Sequence, residues 1–84
     1  LTFEVMPNPA QDYSLIKFSM LEESHVTISV FNSLGQKVAD LEKANLYSGS
    51  HQYELNTSTF NNGIYFIEIA VNGNSLSKKL FINR

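Results

Sequence analysis

The sequence predicts an all-β fold, a sandwich of about seven short antiparallel strands in two sheets. Three observations carry that expectation. Apolar residues recur with period two in runs rich in Val, Ile, Phe, Tyr and Thr, and Asn, Ser, Gly and Pro punctuate the runs. No stretch sustains a helical period, residues 20–24 having room for one turn at most. The 84 residues are 43% hydrophobic, with six Phe and four Tyr, which is enough apolar material for a core. A chain of this length has no space for a two-domain enzyme or a large buried cofactor, so residues 1–84 are expected to form one unit.

The elements follow in order. Phe3 to Val5 is a short first strand. Pro7-Asn8-Pro9 lacks backbone donors at two of its three positions, so it ends that strand and begins a crossing loop toward residue 14. Ile16, Phe18 and Met20 then alternate with Lys17 and Ser19, and Val26, Ile28 and Val30 with Thr27 and Ser29. Asn32-Ser33-Leu34-Gly35 predicts a hairpin, with Gly35 at the positive φ of a type I turn plus bulge. Tyr53 and Leu55 alternate with Gln52 and Glu54. Residues 63–71 are apolar on both faces over their first half, the pattern of a central strand covered on both sides. Asn72-Gly73-Asn74 marks a second tight hairpin into a last strand of Leu76, Leu80 and Ile82. Lys78 interrupts the apolar parity of that strand, and with Lys79 it supplies the charge that blunts edge pairing.

The strand number and turn spacing fit an immunoglobulin-like sandwich. Asn61-x-Gly63-x-Tyr65-x-Ile67 has the spacing that enters the sixth strand of such domains, where a tyrosine hydroxyl bonds back to the preceding corner. Ile67 stands where a cysteine often follows, and the chain has none, so packing alone holds the sheets.

Candidate chemistry is sparse. The formal charge is −2, and Lys17, Lys37, Lys43, Lys78, Lys79 and Arg84 are too dispersed for a nucleic-acid surface. No apolar run reaches the ~18 residues of a membrane span, so no membrane insertion is expected. The first residues have no signal-peptide pattern. A chain that starts at Leu1 is expected to be a fragment of a longer protein. His25 lies on the polar parity of its strand and is expected to face solvent; His51 shares parity with Tyr53 and is expected to be half-buried at a strand start. Neither has companions at metal-ligand spacing. Glu22, Glu23, Asp40, Glu42 and Glu54 show no paired acid-base pattern, and Glu68 reads as a charge at the sheet margin paired with a nearby lysine. Residues 56–58 and 61–62 offer only neutral oxygens to calcium. No serine-nucleophile elbow or phosphate loop occurs. No catalysis, cofactor, metal or small-molecule substrate is expected. Phe31, Phe81 and Tyr47 lie off the inward parity; a sugar platform would need two or three aromatics on one flat face.

Met6-Pro7-Asn8-Pro9-Ala10, Ile16-Lys17-Phe18, residues 26–38 with Asn32-x-x-Gly35-Gln36-Lys37-Val38, Gly49-x-His51, Asn62-Gly63-Ile64-Tyr65-Phe66 and Lys78-Lys79-Leu80 come in an order and spacing that resemble one family. It is the type A C-terminal sorting domain of cargo proteins of the type IX secretion system of Bacteroidetes. The resemblance runs from Pro7 to the C-terminus, and a chain ending at Asn83-Arg84 soon after its last strand agrees with it. Met6 departs from the aromatic or Leu common before Pro-Asn-Pro, and Leu80-Phe81 from the smaller residues common after the lysines.

The resemblance implies a folded signal. The parent would cross the inner membrane, reach the periplasm, be recognised through this domain by the outer-membrane translocon and its shuttle proteins, and pass outward to the cell surface or medium. A sortase would then remove the domain, at a bond upstream of it, and attach the cargo to the surface. Gly35, Gly63 and Tyr65 match the family motif with structural roles, whereas Pro7, Asn8, Pro9, Lys78 and Lys79 are the recognition candidates. The alternative is a fibronectin-like or carbohydrate-binding accessory module of a secreted enzyme. A bare spacer and an enzyme rank behind both.

Overall fold

The computed structural model describes residues 1–84. It contains seven strands: β1 (Thr2–Met6), β2 (Tyr13–Met20), β3 (Ser24–Asn32), β4 (Lys37–Leu46), β5 (Gly49–Asn56), β6 (Gly63–Val71) and β7 (Asn74–Ile82). They form two antiparallel sheets, β1-β2-β5 and β4-β3-β6-β7. Constant-type immunoglobulin domains place the fourth strand in the first sheet; here β4 stays hairpinned to β3 through two register shifts near Ser29 and Phe31.

Period two decides which side chains meet between the sheets. Ile16, Phe18 and Met20 from β2 face Val26, Ile28 and Val30 from β3 and Tyr65, Ile67 and Ile69 from β6, all buried in one cluster. Each fully buried Ile or Val contributes on the order of 1.5–3 kcal/mol relative to exposure. Phe18 lies stacked between Tyr53 and His51, with centroids 5.9 and 5.3 Å away. His51 is half-buried and donates through Nε2–H to the Tyr47 carbonyl at 2.7 Å; His25 is exposed, its Nδ1 3.0 Å from Asn45 Oδ1.

The turns form where their residues permit. Asn32 Oδ1 accepts from the backbone N–H groups of Leu34 and Gln36, each at 3.0 Å, and Gly35 takes φ +81° in between. Asn72 and Gly73 both have positive φ, closing the β6–β7 hairpin. Residues 21–23 make a bend, with no helical turn.

Two expectations need correction. β6 is covered on one face only: Tyr65, Ile67 and Ile69 point into the core, whereas Ile64 is 37% exposed and Phe66 half-buried on the outer face. With only two layers nothing packs outside the four-stranded sheet, and cross-strand neighbours supply the partial cover. Glu68 does not sit at a sheet margin beside a lysine. It lies mid-sheet between Ser29 and Ser77, and the one ion pair joins Lys37 to Asp40 at 3.2 Å. β6 is an interior strand, Lys78 faces the opposite side of β7, and Lys79 stands beside Phe66.

Candidate functional site

The Pro7–Ala10 segment leaves β1 in the three-stranded sheet and crosses to the free edge of β7 in the other. Both X-Pro bonds, Met6-Pro7 and Asn8-Pro9, are cis. Pro7, Asn8 and Pro9 are exposed, whereas Ala10 is fully buried. Asn8 Nδ2 donates to the Lys79 carbonyl at 2.8 Å, and Asn8 Oδ1 accepts from the Phe81 N–H at 2.9 Å. The Ala10 N–H then donates to the Phe81 carbonyl at 2.7 Å, and the Asn83 N–H donates to the Ala10 carbonyl at 2.9 Å, a parallel bridge. The segment therefore works as a strap that satisfies the C-terminal half of the β7 edge. Fully buried Ser14 and Thr57 anchor it from beneath. Ser14 Oγ donates to the Pro7 carbonyl at 3.0 Å, Thr57 Oγ1 to the Gln11 carbonyl at 3.0 Å, and the Thr57 N–H to the Asp12 carbonyl at 2.9 Å.

The recognition candidates thus meet at one edge, with different freedom. Both ends of the Asn8 amide are engaged within the chain, while Pro7 and Pro9, with Tyr13, line a shallow depression beside the strap. Lys78 and Lys79 point to opposite sides of β7. Lys78 has the inward parity of Leu76 and Leu80, and its Nζ lies 5.9 Å from the Phe3 ring, across the open seam between the sheets. Lys79 is on the outer face, its Nζ 6.0 Å from the Phe81 ring. Neither lysine has a carboxylate within ion-pair distance.

Gly35 stands away from that edge, whereas Gly63 and Tyr65 lie one strand inward of it, opposite Ile82 and Leu80. Gly35 is in the β3–β4 turn, and Gly63 opens β6 at φ +149°, where a side chain would be strained. Tyr65 is 8% exposed, packs against Phe60, and donates its hydroxyl to the Asn61 carbonyl at 2.8 Å. Beside this corner the sequence left one residue unassigned. The Arg84 guanidinium donates to the carbonyls of Gln11, Thr57 and Phe60, and its backbone N–H donates to Asn62 Oδ1 at 3.0 Å. No local pattern announces that clamp, because its partners come from two distant loops.

On the far seam, Tyr53 Oη donates to Glu42 Oε2 at 2.7 Å, tying β5 to β4. Burial, followed by this bond, pushes the Tyr53 phenol up to about 12. The same bond, with the Lys43 N–H, holds the Glu42 carboxyl below its usual range. Asp40 is held low by hydrogen bonds from Lys37 and then Ser29.

A second surface is aromatic. Phe31 pairs with Phe66 across β3 and β6, Phe66 with Lys79 and Ile64 with Phe81 across β6 and β7, so three phenylalanines share the outer face of the four-stranded sheet. The sequence put Phe31 and Phe81 off the inward parity; the outward position of Phe66 and the adjacency of all three needed the strand order. Tyr47 is exposed in the β4–β5 connection and lies off this sheet.

No curated protein matches the chain. The family described as "Secretion system C-terminal sorting domain" matches residues 4–83, from within β1 to just past β7. The chain belongs to this family of type IX secretion sorting domains, and its parent is accordingly a secreted or cell-surface protein.

Proposed function

We propose that this domain sends its parent from the periplasm across the outer membrane, and that the secretion machinery reads the strap and the final strand. The family match over residues 4–83 carries this reading. Residues 1–84 act as one C-terminal unit on a longer cargo; the translocon and its shuttle proteins bind it, and a sortase then removes it and attaches the cargo to the surface. The domain is a tag, and any catalysis belongs to the cargo. Asn8 serves by fixing the strap, whereas Pro7, Pro9, Lys78 and Lys79 are the groups left free for a partner. Gly35, Gly63 and Tyr65 shape the fold that presents them.

The test fuses these residues to the C-terminus of a periplasm-targeted fluorescent reporter in a host with a type IX system. Reporter at the surface or in the medium, lost when the translocon is disabled, is the expected result. A folded domain held in the periplasm would refute it.

One observation favours a second function, a glycan-binding accessory module: Phe31, Phe66 and Phe81 lie on a single outer face. Titration of the isolated domain with polysaccharides decides it, since a module of that kind binds them and a pure sorting signal does not.

A further inference from the structure

The hydrogen-bonding pattern of β7 divides its edge in two. The strap engages the Lys79 carbonyl, both polar groups of the Phe81 backbone and the Asn83 N–H, all of which point away from β6. Alternation along an antiparallel strand puts the backbone groups of Ser75 and Ser77 and the Lys79 N–H on that same side. No strand pairs with them, because β1, the nearest strand across the seam, hydrogen-bonds only to β2.

The seam is also open there. Leu76 has inward parity yet is 46% exposed, and Lys78, two residues on, covers the gap only through its contact with Phe3. Unpaired backbone groups, an uncovered leucine and two lysines without carboxylate partners thus coincide over five residues of one edge. Each is explained by an extended peptide at that position. Its backbone would pair with Ser75, Ser77 and Lys79, an apolar side chain would close over Leu76, and a carboxylate would meet Lys78 or Lys79. The Ala10 bridge shows that this edge already accepts a strand-like partner further along.

We propose that Ser75–Lys79 is a strand-addition site for an extended segment, apolar and acidic, of a secretion-machinery protein. This rests on the sorting role above. The strap sets the register by closing the edge beyond Lys79, so the incoming strand is confined to the N-terminal half of β7.

Proline separates edge pairing from folding, because Ser77→Pro removes an outward N–H and leaves the β6–β7 bonds intact. Ser75→Pro makes the same change one outward position earlier, should Ser77→Pro fail to fold. In the reporter assay, with the domain's thermal midpoint checked in parallel, a folded proline variant is expected to lower the exported fraction about fivefold to tenfold. Ser77→Ala, which keeps the N–H, is expected to export normally. Wild-type export with equal export of both folded proline variants would overturn strand addition while leaving the sorting role standing. A solution dimer abolished by proline, with export unchanged, would reassign the edge to a second copy of the chain. Failure of the wild-type domain to export would remove the sorting role and this site with it.

Discussion

The side-chain amide of Asn8 donates to the backbone carbonyl of Lys79 at 2.8 Å, closing the β7 edge as a neighbouring strand would. A loop residue and a terminal-strand residue 71 positions apart are thereby one structural unit. The strap's position, and with it the length of edge left open, depends on this contact.

Asn8→Ala should release the Lys79 carbonyl and the Phe81 N–H together. Both are near solvent, so the expected loss is about 1 kcal/mol of stability. Amide hydrogen exchange at Phe81 should accelerate while Leu80, paired with Tyr65, stays protected. Unchanged exchange at Phe81 would show that the strap is held without Asn8.

Arg84 fastens the same end of the sandwich through the carbonyls of Gln11, Thr57 and Phe60. Arg84→Ala is expected to cost about 1–2 kcal/mol, discounted for exposure. Arg84→Lys should recover less than half of it, since an ammonium lacks the planar fork that reaches several acceptors at once. Chemical denaturation of the three proteins checks the order.

Tyr65→Phe removes only the hydroxyl that donates to Asn61. At this buried corner the expected loss is about 1–2 kcal/mol, a fall in Tm of several degrees for a domain this size. Export of the folded variant should match wild type, because the hydroxyl is turned inward and presents nothing to a partner. A stable variant that is not exported would make Tyr65 a recognition residue.

Burial of Tyr53, together with its bond to Glu42, makes stability depend on pH at the alkaline extreme, and the bond itself does so at the acid one. The Tyr53 pKa is raised from the ordinary 10.0 to about 12, so its contribution is complete below 10.0 and is lost as pH climbs through about 12. Glu42 is shifted downward from 4.5, so its contribution is present above 4.5 and is lost as pH falls through its folded-state value. Tyr53→Phe removes the shared bond. The difference in Tm between wild type and variant should be widest from about pH 5 to about pH 9 and shrink on either side. A constant difference across the range would mean the bond does not form in solution.

The alternating strands β2, β3 and β5 and their inward faces were legible in the sequence because period two is local: Val26, Ile28 and Val30 must share a face whatever lies opposite. The turns were legible for the same reason, since Asn72-Gly73 favours a tight reversal through its own backbone preferences. The family was legible from short motifs in order, and the match over residues 4–83 agrees. Strand order was not local. Only the fold set Phe31 beside Phe66, left β6 bare on one face, and moved Glu68 from a sheet margin to the middle of a sheet. Likewise Asn8 and Pro7 had the same exposed-loop signature, and tertiary contact alone bonded Asn8 to the final strand. Arg84 reaches Gln11 over 73 residues of chain. Backbone preference and alternation are written within a few residues, whereas a hydrogen bond across the whole chain exists only once both sheets have packed.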